Sequence, residues 1–110
     1  MIKASFFYSE GQLNGFELKG HADSGEYGQD IVCAAVSALA ISTINGLEQL
    51  AKVQLYVDAN EQNGGFLQAR LADSAISDEA AQLLLANFRL GIGDVTKNYS
   101  DYIEIIEDKS

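Results

Sequence analysis

The stretch "DIVCAAVSALAISTINGLEQLA", from Asp30 to Ala51, constrains the fold more than any other part of the chain. Val32, Val36, Leu39, Ile44, Leu47 and Leu50 recur at helical spacings, with small alanines between them. The first half, "IVCAAVSALAI", is apolar nearly all round. That predicts a central, largely buried helix rather than an amphipathic surface one. Such a helix has to be covered by other elements, and the flanking sequence supplies strands.

Ahead of it, "IKASFFYS" and "NGFELKG" read as a hairpin closed by the turn formers Glu10 and Gly11. Residues 22 to 29 hold Asp23, Ser24, Gly25 and Gly28 with little apolar content, which predicts a mobile loop. After the helix, "KVQLYVDA", the turn "NEQNGG" and "FLQARLA" form a second antiparallel hairpin. "SDEAAQLLLANFRLGIGDVTKNY" is a second helix, with Ser77 its expected N-cap and Gly91 and Gly93 a possible break. "DYIEIIE" alternates apolar and acidic residues and closes the chain as a strand. The expectation is an α+β domain over residues 1–110, in ββαββαβ order. Its five-stranded sheet is mostly antiparallel, with two helices packed on it.

Composition narrows the function. Sixteen acidic residues against 7 Lys plus Arg give a formal net charge of −9, a surface that repels nucleic acid phosphates. No direct nucleic acid binding is expected, and a basic protein or peptide is the favoured partner. No uninterrupted apolar run approaches the roughly 20 residues of a membrane helix, and the first residues lack a secretory h-region. One cysteine cannot form an internal disulfide, which fits a reducing cytoplasm.

That cysteine, Cys33, follows the only histidine, His21, within "GHADSGEYGQDIVCAAVSAL". With Asp30 as N-cap, Cys33 falls at the third helical position, beside unpaired backbone N–H groups that favour a thiolate. A histidine within hydrogen-bond reach would complete a nucleophile and base. The plainer alternative is a small buried hydrophobe and an unrelated histidine. Only His21, Cys33 and nearby carboxylates could contribute to a zinc site, which makes one a weak reading, and the glycines match no dinucleotide or phosphate-binding pattern. No metal or cofactor is expected.

The same stretch resembles the signature of the ribosomal-processing cysteine protease family, Prp. The pattern runs GHA, then Gly, Gly and Asp, then VCAAVS, and is carried here by His21, Gly25, Gly28, Asp30, Cys33 and Ser37. Length and element order agree across the domain, while Ser100 stands where the family often has proline. The resemblance implies a cysteine endopeptidase that removes the short N-terminal extension of a large-subunit ribosomal protein, the one that reaches toward the peptidyl transferase centre. The extension ends in an aromatic pair. By the same resemblance His21 is the catalytic histidine, Cys33 the nucleophile, and the cytoplasmic protein a homodimer, although a monomer of this size would also be stable. Asp30 would cap the helix or orient His21, and Ser37, one turn after Cys33, would line the site or bond back to its own helix. The loop with Gly25 and Gly28 would close over the peptide. The competing readings are a non-catalytic, ribosome-associated peptide-binding module and a redox-sensing thiol protein that lacks a resolving cysteine.

Overall fold

The computed structural model describes residues 1–20, 27–60 and 65–109. These form β1 (Ile2–Ser9), β2 (Gln12–Lys19), α1 (Tyr27–Gln49), β3 (Leu55–Asn60), β4 (Phe66–Leu71), α2 (Glu79–Asn98) and β5 (Ile103–Asp108), with a 3₁₀ turn at Asp73–Ala75. The strands make one sheet in the order β3-β4-β2-β1-β5. Its hairpin pairs and the β2–β4 pair are antiparallel, whereas β1 and β5 run parallel, so the sheet is mixed. The α+β class and the element order are those the sequence predicts. The first hairpin closes through Glu10 and Gly11, with φ of 51° and 81°. Two consecutive left-handed residues give the turn whose twist matches the strands it joins.

Period-two alternation decides which face is covered. Ile2, Ala4 and Phe6 of β1, Phe16 and Leu18 of β2, Ala69 and Leu71 of β4 and Ile103 of β5 are buried in one cluster with both helices. Helix α1 contributes Val32, Val36, Ala40, Ile44 and Leu47, and α2 contributes Ala81, Leu85, Phe88 and Ile92. Phe88 stacks obliquely on Phe16 at 4.4 Å and on Phe6 at 5.7 Å between ring centres. Each such ring, fully buried, stabilises the fold by about 1.5–3 kcal/mol.

Five local expectations are corrected. Helix α1 begins at Tyr27, so Asp30 lies inside its first turn and is not its N-cap. Residues 27 to 29, Gly28 among them, are helical rather than loop, while Gly25 and the rest of that loop lie outside the described residues. Asp78, not Ser77, caps α2, accepting a hydrogen bond from the backbone N–H of Ala81 at 2.9 Å. Helix α2 also runs unbroken through Gly91 and Gly93. Burial of Phe88 and Ile92 on either side of Gly91 outweighs the weak propensity of the two glycines. Finally, the Ile31–Gln49 segment has a mean hydropathy of 1.6 and is long and apolar enough to cross a membrane, although no uninterrupted apolar run had suggested it. Its buried face belongs to the core just described.

At the far end of β1, Tyr8 Oη donates to Glu107 Oε2 at 2.6 Å, and Arg89 Nε donates to Glu107 Oε1 at 2.8 Å. Burial works to raise the Glu107 carboxyl, but the hydrogen bonds from Tyr8 and Arg89 and the charge of Arg89 outweigh it and hold it below 4.5. Burial, then the bond to Glu107 and its charge, push Tyr8 up to about 12. The signs differ. Glu107 contributes stability above its unfolded value and loses it as pH falls through the depressed one. Tyr8 contributes below pH 10.0 and loses it as pH rises toward about 12. In an ultraviolet titration of the folded protein, one of the five tyrosines should therefore ionise late. Glu107→Gln should bring that step down part of the way, since burial remains. A titration curve unchanged by Glu107→Gln would contradict the assignment.

Candidate active site

Cys33 occupies the second turn of α1, not the first. The helix dipole acts within the first turn, so the end-of-helix argument for a thiolate does not carry over to this position. What the position provides is access. Cys33 is half-buried and lines a cleft of about 440 Å³, within the range of small-ligand and side-chain pockets.

The cleft exists because two helices do not cover five strands. Its lining includes one row of α1, Cys33, Ser37 and Ile41, each one turn after the last. Opposite stand Val57 and Ala59 of β3 and Leu67 of β4, while Ile2, Leu18, Val36 and Ile44 continue it into the core. Val57 alternates onto the helix side of the sheet yet is 48% exposed, and Ile41 across from it is 56% exposed. Among the described residues, no charged side chain lines the cleft. It can hold apolar side chains and would penalise a buried charge, which costs several kcal/mol unpaired.

The sequence-predicted residues separate into three groups. Cys33 and Ser37 line the cleft together, and Ser37 is exposed. Asp30 lies in α1 three residues before Cys33. His21 lies outside the described residues, as does Gly25. Its neighbour Gly20 is described, and it lines the same cleft as Cys33. The end of β2 and the second turn of α1 therefore meet at one cavity.

Sequence reasoning missed the apolar wall: Ile41, Val57 and Leu67 were read only as helix and strand residues. The alternation of β3 carried part of the signal, since it assigns Val57 and Ala59 to one face. Which helix lies over that face is a tertiary fact that no local pattern states.

The family model described as cysteine protease Prp matches residues 1–104. A Bacillus subtilis relative named ribosomal processing cysteine protease Prp is 30% identical over 108 residues, 96% of each chain. A crystal structure of a Streptococcus mutans protein superposes with a TM-score of 0.93 at 40% identity, covering all of this chain and 96% of that one. The Staphylococcus aureus ribosomal processing protease Prp, solved with a substrate peptide, gives a TM-score of 0.81 at 27% identity, over 98% of this chain and 100% of that one.

Proposed function

The chain belongs to the cysteine protease Prp family, and from that premise we propose that it is a cysteine endopeptidase with Cys33 as nucleophile and His21 as general acid and base. Its substrate is a large-subunit ribosomal protein precursor, from which it removes a short N-terminal extension. The observation that carries the reading is the shared cleft: Cys33 lines a cavity, apolar among its described residues, that also reaches Gly20, the residue before His21.

The chemistry follows from those groups. His21 takes the proton of the Cys33 thiol, the thiolate adds to the scissile carbonyl, and the electron pair of the carbonyl moves to its oxygen. As the tetrahedral intermediate collapses, the C–N bond breaks and His21 gives its proton to the leaving amine. Water, deprotonated by His21, then adds to the thioester and releases the acid and the free thiol. In this reading Asp30, in the first turn of α1, orients His21. Ser37 offers a hydroxyl on the cleft wall one turn beyond the sulfur.

The cleft also supports a side for the substrate. From Cys33 to Ile41 the wall extends about 12 Å along the helix, at 1.5 Å per residue. An extended peptide covers that in roughly three to four residues at about 3.3 Å each. The apolar residues of the extension, its terminal aromatic pair foremost, fit this wall. The acidic surface suits the basic mature segment beyond the scissile bond. A cytoplasmic homodimer is part of the same reading, and the exposed Ile31, Ile41, Leu83 and Leu90 on the helix layer are compatible with a second copy.

Incubation with a peptide spanning the junction, followed by mass spectrometry, tests this. Cleavage directly after the aromatic pair is the expected result, with no cleavage when both aromatics are replaced by aspartate. A peptide that binds and stays intact would instead indicate a non-catalytic binding module.

A further inference from the structure

The two edges of the sheet are not alike. At one edge β5 carries Glu104, Glu107 and Asp108, and charges along an edge deter a further strand. At the other edge β3 reads LYVDAN, with no lysine or proline and with Asp58 its single charge. Its register with β4 runs without a bulge, and its residues from Tyr56 onward are exposed. Edges are ordinarily blunted by charge, proline, a bulge or a covering element. Among the described residues β3 has only the one acid.

The ladder decides which backbone groups face the free edge. The N–H of Ala72 donates to the carbonyl oxygen of Gln54 at 3.0 Å, one step beyond the Leu55–Leu71 pair. In an antiparallel ladder, opposed residues alternate between pairs that exchange hydrogen bonds and pairs that do not. Tyr56 and Asp58 therefore bond Arg70 and Gln68, while Leu55, Val57 and Ala59 turn their N–H and C=O groups outward. The other side of β4 has the matching phase. The bond from Gly20 N–H to the Gly65 carbonyl continues the β2–β4 ladder, which turns Leu67 and Ala69 toward β2. Among the described residues the outward groups of Val57 and Ala59 have no partner. The side chains of these same two residues wall the cleft that Cys33 lines.

We propose that the substrate binds by strand addition: the segment of the extension ahead of its aromatic pair adds to the free edge of β3, bonded to the backbone of Val57 and Ala59. The inference rests on the protease reading and says what that site selects. An added strand lies about 4.8 Å outside β3. Every second side chain then stands beside Val57 or Ala59 at the cleft, and the residues between face the opposite side of the sheet. Main-chain bonds supply affinity whatever the side chains, and the apolar wall discriminates only at alternate positions. The substrate class is an extended, unstructured segment, since a helix or hairpin has already paired its backbone groups.

The test measures binding of the peptide spanning the junction to the Cys33→Ala protein, so that the readout does not depend on the chemistry. A series of such peptides carries one N-methyl group each, moved residue by residue through the segment ahead of the aromatic pair. In a strand of either direction the N–H groups point to alternate sides. Kd should rise about fivefold or more at every second position, as one hydrogen bond is lost, and stay within about twofold between them. Val57→Pro deletes one outward N–H without touching the ladder to β4, and should weaken the unmethylated peptide by a similar factor. Kd values that rise evenly along the segment, or nowhere, would overturn strand addition and leave the catalytic pair standing. So would a Val57→Pro protein that binds the peptide normally but changes its mass in solution, which would give the edge to a second copy of this chain. Alternation in Kd beside a parent protein that never cuts the peptide would support strand addition and overturn the protease reading.

Discussion

Cys33→Ala is expected to abolish peptide cleavage, a loss on the order of 10⁴–10⁶-fold in kcat, while the protein remains folded. Loss of the nucleophile removes the covalent route altogether, and what survives is whatever binding and electrostatics offer over water. The structural cost is small by comparison. Cys33 is only half-buried against the core, and the replaced sulfur is about the size of one methylene, worth about 0.8 kcal/mol if fully buried. Stability and activity should therefore separate cleanly: near-parental thermal unfolding, no turnover, and retained binding of the uncut peptide. As the sole cysteine, Cys33 is also the only thiol that iodoacetamide can alkylate, and alkylation should reproduce the variant. Cleavage that persists in Cys33→Ala would remove the nucleophile assignment and with it the proposed mechanism.

What the sequence made legible has a physical pattern. The strands announced themselves through alternation, as in Ile2, Ala4 and Phe6, and the first hairpin through the Glu10–Gly11 turn. These signals are local, and they were correct. The start of α1 was misread because Asp30 is a strong N-cap residue and the glycines before it read as loop. The helix nevertheless includes Gly28 and begins at Tyr27. An N-terminal boundary decided by one cap side chain is the least secure part of a helix. The error matters for function, since it moved Cys33 from the first turn to the second. Cys33 is proposed as nucleophile on its motif and not on the helix terminus, so that proposal does not depend on the boundary. The cleft was legible only in part, through the alternation of β3, because Val57 and Ile41 become a wall only where β3 and α1 face each other across it.

His21→Ala should lower kcat by ~10²–10⁴-fold, the usual range for loss of a general acid or base. The effect should fall on kcat with KM little changed, because the apolar wall proposed to hold the peptide stands on α1, β3 and β4. Loss of the histidine impairs two steps, proton donation to the leaving amine and activation of the water that resolves the thioester. If resolution becomes the slower of the two, a covalent peptide adduct on Cys33 should accumulate and be visible by intact-protein mass. Added imidazole should recover part of the rate by occupying the vacated space and carrying the same proton. In the Cys33→Ala background the substitution should cost nothing further, since a base without its nucleophile has no step to assist. Near-parental kcat in His21→Ala would make the histidine structural. The search for a base would then move to Asp30, one turn before Cys33 on the same helix, with Asp30→Asn as the deciding variant.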